Sequence, residues 1–317
     1  MTSDISYTTE EISKLLKISK LTVYDLIKKG DLPAYRVGKQ MRVDASDLEA
    51  YKIRAKGGMV STAKKEYIEP ITQHSFQPAP FSKQSLVITG QDVSLDILAK
   101  HIERNVSHYR PLRAYVGSMD SLISMYKGES DIVSTHLLDG DTGQYNIPYI
   151  RKLLIGSSYV VVNLVSRSAG LYVQLGNPKQ IYDWADLKKP GLRLVNREKG
   201  SGARVLLDEQ LRLHEIPHQL LSGYEQEESN HMGVAGKVAT GEADFGVGIE
   251  KAASMVGGVD FIPLIQERYD LVMLKKPENL EWIERVKQIL QSESFHNELR
   301  PIQGYDLSQT GRILYET

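Results

Sequence analysis

The sequence predicts an α/β chain in two unequal parts: a small helical head carrying a β-hairpin, and a larger domain of alternating strands and helices. Three observations predict it. Residues 5–55 hold two closely spaced helix starts and a hairpin pattern, residues 56–84 lack a sustained hydrophobic period, and from Leu86 onward strand-like apolar runs alternate with helical ones. A chain of 317 residues also exceeds what one hydrophobic core usually serves.

In the head, Thr8 and Glu11 have the spacing of a capping box, in which each satisfies a backbone N–H of the other's turn. Ile12, Leu15 and Leu16 then form an apolar helical stripe. A second helix starts at Ser19, with Ile18 and Val23 placed as a hydrophobic staple. It continues through Leu26 and Ile27 and stops at Gly30 behind Lys28 and Lys29. Ala34 to Val43 reads as a hairpin turning at Gly38 and Lys39, and a third helix starts at Asp44 or Ser46 and runs through Leu48 and Tyr51. Residues 57–84, rich in Gly, Ser, Pro and Gln, read as a linker between domains at 1–56 and 85–317.

Beyond it, Leu86–Gly90, Arg113–Gly117 and Asp131–His136 read as strands, with helices near 94–106 and 118–127. A second set has strands at Tyr159–Ser166, Arg193–Asn196, Asp244–Ile249 and Phe261–Met273, with helices near 201–213 and 231–240. Such βαβ runs imply a parallel sheet with ligand groups at the strand C-terminal ends.

Composition narrows the chemistry. The absence of cysteine excludes disulfides, thiolate metal sites, iron–sulfur clusters and cysteine nucleophiles. Lys and Arg total 39 against 40 Asp and Glu, so a DNA-binding region must be a local basic patch. Residues 1–56 carry 11 basic and 8 acidic side chains, which has the right sign. Met1 to Tyr7 lacks a basic region followed by an apolar run, and Leu153 to Val165, broken by Gly156, Ser157, Ser158 and Asn163, is too short for a bilayer. The expectation is a cytoplasmic protein with no membrane partner.

Two helices joined by a few residues make a helix-turn-helix plausible, whose second helix would enter a DNA groove. With Val23, Leu26 and Ile27 facing inward, Ser19, Lys20, Leu21, Thr22 and Tyr24 become the groove candidates, and Arg36, Lys39 and Arg42 a basic wing. By periodicity alone the segment can equally be an α-hairpin with a solvated charged surface.

Four clusters fall where the sheet places ligand loops: Gly90, Gln91 and Asp92; Gly117 and Ser118; Ser134, Thr135 and His136; and the stretch from Asn196 to Arg204. The last combines close-approach glycines, the Ser201 hydroxyl and the fixed charges of Arg197 and Arg204. Plainer roles exist for each: Asp92 and Ser118 as helix caps, His136 as a satisfied core histidine, Gly200 to Gly202 as a turn, His231 as the start of a helix. No Gly-Lys-Ser/Thr ending makes the glycine loop a P-loop. The convergence of the clusters at successive strand ends favours a ligand site, and no nucleophile and base, nucleotide motif or metal-ligand cluster stands out, so no catalytic residue, metal or cofactor is assigned.

Residues 7–51, through Ser19-x-x-Thr22-Val23-Tyr24, Gly30-x-Leu32-Pro33-Ala34, Val37-Gly38 and Asp47-Leu48-x-x-Tyr51, resemble the excisionase-type branch of the MerR-like winged helix family. The stretches Gly117–Asn146, Asn196–Leu211, Ser229–Ala253 and Ile262–Met273 resemble the type 2 periplasmic-binding-protein-like domain of bacterial regulators associated with molybdate or tungstate. Their combination is similar to a family of molybdate-related transcriptional regulators.

The resemblance implies a winged helix-turn-helix followed by a two-lobed domain, lobe I at about 85–160 and 270–317 and lobe II at about 161–269. Paired crossing segments near 159–166 and 262–272 would join the lobes. Ser118, Thr135 and His136 would line one lobe, Arg197, Ser201, Gly202 and His231 the other, and Tyr269 would close the site, with Asp92 in the first ligand loop. Gln91 departs from the Ser often found in that loop. The function implied is a ligand-responsive regulator, a homodimer on double-stranded DNA, whose effector is a small molecule or an oxyanion such as molybdate or tungstate. A ligand-binding protein or enzyme of molybdenum-cofactor metabolism, and an architectural DNA protein without an effector, are the alternatives.

Overall fold

The computed structural model describes residues 6–37, 40–55 and 83–317. The chain divides into two compact units, one ending ahead of Pro78 and one running from there to Thr317. No helix among the described residues is long and apolar enough to cross a membrane.

The first unit is built of β1 (Ser6–Thr8), α1 (Thr9–Leu16), α2 (Lys20–Lys29), β2 (Tyr35–Val37), β3 (Gln40–Asp44) and α3 (Ala45–Ala55). The capping box is made, with Thr8 Oγ1 accepting from the Glu11 amide and Glu11 accepting from the Thr8 amide. Ser19 Oγ accepts from the Thr22 amide at 3.1 Å, and Gly30 ends α2 in the left-handed region. Ile12, Val23, Leu32, Val43 and Leu48 form the core, with Ile18 packed against it. The sequence reading had no strand at Ser6–Thr8; it pairs antiparallel with β3, which also carries β2, to give a three-stranded sheet. The hairpin turn at Gly38 and Lys39 and nearly all of the expected linker lie outside the described residues.

The second unit opens with β4 (Gln84–Thr89), so Gln84 belongs to a strand, and continues through α4 (Ser94–Asn105), β5 (Tyr109–Ala114), α5 (Ser118–Lys127), β6 (Ile132–Thr135) and α6 (Ile147–Leu153). β5 lies N-terminal to the expected 113–117 because it is an edge strand, where Pro111 is tolerated and apolar alternation is weak. β7 (Tyr159–Gln174) then leads into β8 (Leu194–Arg197), α7 (Gly202–Leu213), β9 (Glu227–Glu228), α8 (His231–Ala239), β10 (Phe245–Ile249) and α9 (Glu250–Met255). β11 (Val259–Leu274), α10 (Leu280–Leu290), α11 (Glu293–Leu299), β12 (Tyr305–Asp306) and β13 (Ile313–Glu316) complete it.

One curled sheet of order β5-β4-β6-β11-β7-β10-β8-β9 runs through this unit. β7 and β11, 16 residues each, pair antiparallel along their whole lengths and serve both lobes. The expected crossing segment at 159–166 is therefore only the first half of β7, and the crossover falls inside the strands, at the pair Arg167 and Glu267. β7 is buried on both faces, which explains its continuous apolar run. Gly170 is required opposite the bulge at Pro263, since a Cβ there would collide with the Ile262 carbonyl. Separate cores lie around Leu95, Trp282 and Phe295 in the first lobe and around Leu206, Val234 and Phe245 in the second.

Candidate nucleic-acid interface and ligand cleft

On the first unit, α2 presents Lys20, Leu21 and Tyr24 to solvent, and Leu21 is 73% exposed although it is apolar. Tyr24 Oη touches Thr9 Oγ1 at 3.5 Å in a part-buried contact, and Lys20 Nζ lies 3.6 Å from Glu10 at the surface, both weak contacts. Ser19 and Thr22 are spent on the helix start, their hydroxyls 2.8 Å apart. In the wing, Arg36 is exposed on β2, whereas the half-buried Arg42 donates to Ser6 Oγ at 3.1 Å and so helps hold β1 to β3. Lys39 lies outside the described residues.

In the second unit a cavity of about 330 Å³ lies between the lobes. Asp92, Ser118, His136, Arg197, Ser201, Gly202, His231 and Tyr269 all line it. Thr135 does not: alternation along β6 turns Ser134 and His136 to the cavity and sends Thr135 to the opposite face, where it is fully buried. Ser134, named in the third loop cluster but not among the candidate ligand contacts, bonds the Tyr269 hydroxyl at 2.6 Å. Gly202 is required where it stands, because any side chain would strike the His136 ring.

The floor of the cavity is a buried ionic network at the crossover. Arg167 reaches Asp92 at 2.7 Å and also grips Glu267, and Glu267 faces His136 Nδ1 at 3.0 Å. The Arg167 guanidinium stacks 4.2 Å over the Tyr269 ring, and the Tyr305 hydroxyl donates to Asp92. Burial pushes the Asp92 carboxyl up, but Arg167, Ser94 and Tyr305 outweigh it and hold it at about 2. Burial likewise raises Glu267, and Arg167 with His136 brings it down to about 2. His231 is driven well below its ordinary value, first by burial and then by Arg197 and Arg167, so it is neutral. Its Nδ1 is buried without a partner among the described residues.

The glycine loop is held by its own arginines. Arg197 donates to Gln91 at 2.6 Å, to Glu198 at 2.7 Å and to the Ser229 carbonyl at 3.0 Å. Arg204 donates to the Arg197 carbonyl at 3.2 Å and stacks 4.2 Å over Tyr224. Gln91 thus ties the first ligand loop to the other lobe, completing the exchange by donating to Glu198 at 3.0 Å. The Met119 amide donates to the Gly200 carbonyl at 2.9 Å, and Arg212 meets Asp141 at 2.8 Å, so the lobes touch along the mouth of the cleft.

Arg167, Glu267, Lys251 and Met232 were missed from sequence. The available signal was a lone arginine inside the long apolar run of β7, since a charge there needs a buried counter-charge.

The family model of a PBP superfamily domain matches residues 99–291, and that of a helix-turn-helix domain matches residues 6–55. The Bacillus subtilis (strain 168) protein YvgK is 50% identical over 317 residues, covering 100% of both chains. Among solved structures, PhnD1 from Prochlorococcus marinus in complex with methylphosphonate aligns with a TM-score of 0.52 at 12% identity, over 72% of this chain and 95% of that one. The Corynebacterium glutamicum OxyR C206 mutant aligns with a TM-score of 0.50 at 12% identity, over 93% of this chain and 89% of that one.

Proposed function

The chain belongs to the PBP superfamily and carries a helix-turn-helix DNA-binding domain ahead of its binding-protein fold, and from that premise we propose that it is a ligand-responsive transcription regulator. The observation that carries the proposal is the cleft: a cavity between two lobes, floored by a buried ionic network, in a chain that also holds a DNA-binding unit. An effector that binds this cavity favours one arrangement of the lobes over others, and only such a difference in affinity can move the DNA-binding equilibrium. The reading assigns no catalytic step.

The effector in this reading is an anion. Molybdate and tungstate are the candidates that family resemblance carries. A single helix-turn-helix unit buries little DNA, so the working form in this proposal is a homodimer on paired half-sites. The test is to select operator DNA with the full-length protein and measure its Kd with and without the effector probe at fixed salt. A change of about tenfold or more, corresponding to ~1.4 kcal/mol of coupling, is expected. Identical affinities with every anion that binds the cleft would refute the regulatory mechanism, and a monomer on the selected operator would remove the dimer.

A further inference from the structure

The donors and acceptors around the cavity define what it can hold. The carboxylates that line the cavity, Asp92 and Asp96, are engaged by Arg167 and Arg113, and Glu267 and Glu198 beside them by Arg167 and Arg197. Asp92 also accepts from the amide and hydroxyl of Ser94 and from Tyr305, which leaves it no room for a ligand ammonium.

Donors, in contrast, are left over. Ser118, 4% exposed, accepts from the His136 amide, and Ser201, 2% exposed, accepts from the Arg204 amide. Neither hydroxyl hydrogen finds an acceptor among the described residues. The two serines stand at the starts of α5 and α7, which meet where the Met119 amide bonds the Gly200 carbonyl. Both helix dipoles therefore add positive potential at this corner. Lys251, half-buried on the cavity wall, has no carboxylate within ion-pair distance among the described residues.

The remaining wall is apolar: Val93, Val116, Met232, Ile249, Ala252 and Met255. Each water-sized oxygen takes ~30 Å³, so a four-oxygen oxyanion fills only on the order of 100 Å³. The cavity has about 330 Å³, which is in the range of organic-ligand sites.

Resting on the anion reading above, we infer that the cleft takes a small organic acid, its acidic head at Ser118 and Ser201 and an apolar body against Val116, Met232 and Ala252. A bare oxyanion would leave those apolar side chains facing water; an organic acid covers them and satisfies the two hydroxyls together.

Thermal unfolding of the full chain tests this with hexanoate, 2-oxohexanoate, benzoate and butylphosphonate as organic acids. Molybdate, tungstate and sulfate serve as bare oxyanions, and hexylamine as the cationic counterpart. The expected result is a saturable rise of about 5 °C or more with an organic acid at ~100 times its Kd, and none with hexylamine. Ser118→Ala and Ser201→Ala should each weaken that acid about tenfold, and Val116→Trp should weaken it while leaving the unliganded melting temperature close to the parent's. A rise with molybdate or tungstate and none with organic acids overturns the organic class but leaves the anion-responsive regulator standing. A rise with hexylamine, or organic-acid binding unchanged in the Ser118→Ala, Ser201→Ala double variant, overturns the placement of the head. No rise with any compound overturns the inference, and if operator affinity is also unmoved by all of them, the regulatory reading falls with it.

Discussion

Arg167 neutralises two carboxylates from two directions, Asp92 on the loop after β4 and Glu267 opposite it on β11. With all three side chains almost fully buried, loss of the guanidinium strands two negative charges in a low dielectric. Arg167→Met is therefore expected to cost about 3–5 kcal/mol by urea unfolding at neutral pH. The carboxyls fall from ordinary values of 3.8 and 4.5 to about 2, below their unfolded values. The stability they contribute is then complete above about pH 5 and disappears as pH falls toward 2. Because both depend on one guanidinium, the loss is on the order of 3 kcal/mol. A variant as stable as the parent at pH 7, or one that keeps the parent's acid transition, would contradict this account. Arg167 and Glu267 were not legible from the sequence as a site, because a hundred residues separate them and only the pairing of β7 with β11 makes them neighbours.

At the scale of the element, α2 separates residues that build the helix from residues available to a partner. Ser19 caps it, so Ser19→Ala is expected to cost about 1 kcal/mol of stability and to weaken DNA binding through the helix start. Leu21 touches little within the unit, so Leu21→Ala should change stability by less than ~0.5 kcal/mol while lowering affinity for the selected operator several-fold. Equal losses of stability in the two variants, measured by thermal unfolding beside DNA binding, would contradict this division of roles. Here sequence was a good guide: the capping box, the Ser19 cap, the Gly30 stop and the inward stripe are local rules that act within a few residues. β1 was missed because a three-residue strand has no period of its own and exists only by pairing with β3. α10 carries a stripe at Trp282, Ile283, Val286, Ile289 and Leu290 that is legible by period alone.

For the whole molecule, the second unit has its own cores and a sheet that takes no strand from the first. A fragment spanning residues 78–317 should unfold cooperatively and bind the effector with the full chain's affinity within about twofold, measured by calorimetry. Loss of binding in a folded fragment would mean that the first unit contributes to the site. The cleft belongs to this scale, since its wall draws on loops after β4, β5, β6 and β8 together with the starts of α8 and α9.

What the sequence by itself determined was local or periodic: the helix starts and stops of the head, the alternation of strands and helices, the absence of thiol chemistry and the loops that reach the cleft. Tertiary structure decided which side chains in those loops face the cavity. Strand alternation chose Ser134 and His136 over Thr135, loop contacts engaged Nε and Nη2 of Arg197, and the crossover brought Arg167 to Asp92 and Glu267. Backbone hydrogen-bonding and hydrophobic period act over a few residues and leave a trace in the chain. Charge compensation in a buried site depends on distances between residues far apart in sequence, and those distances exist only once the sheet is assembled.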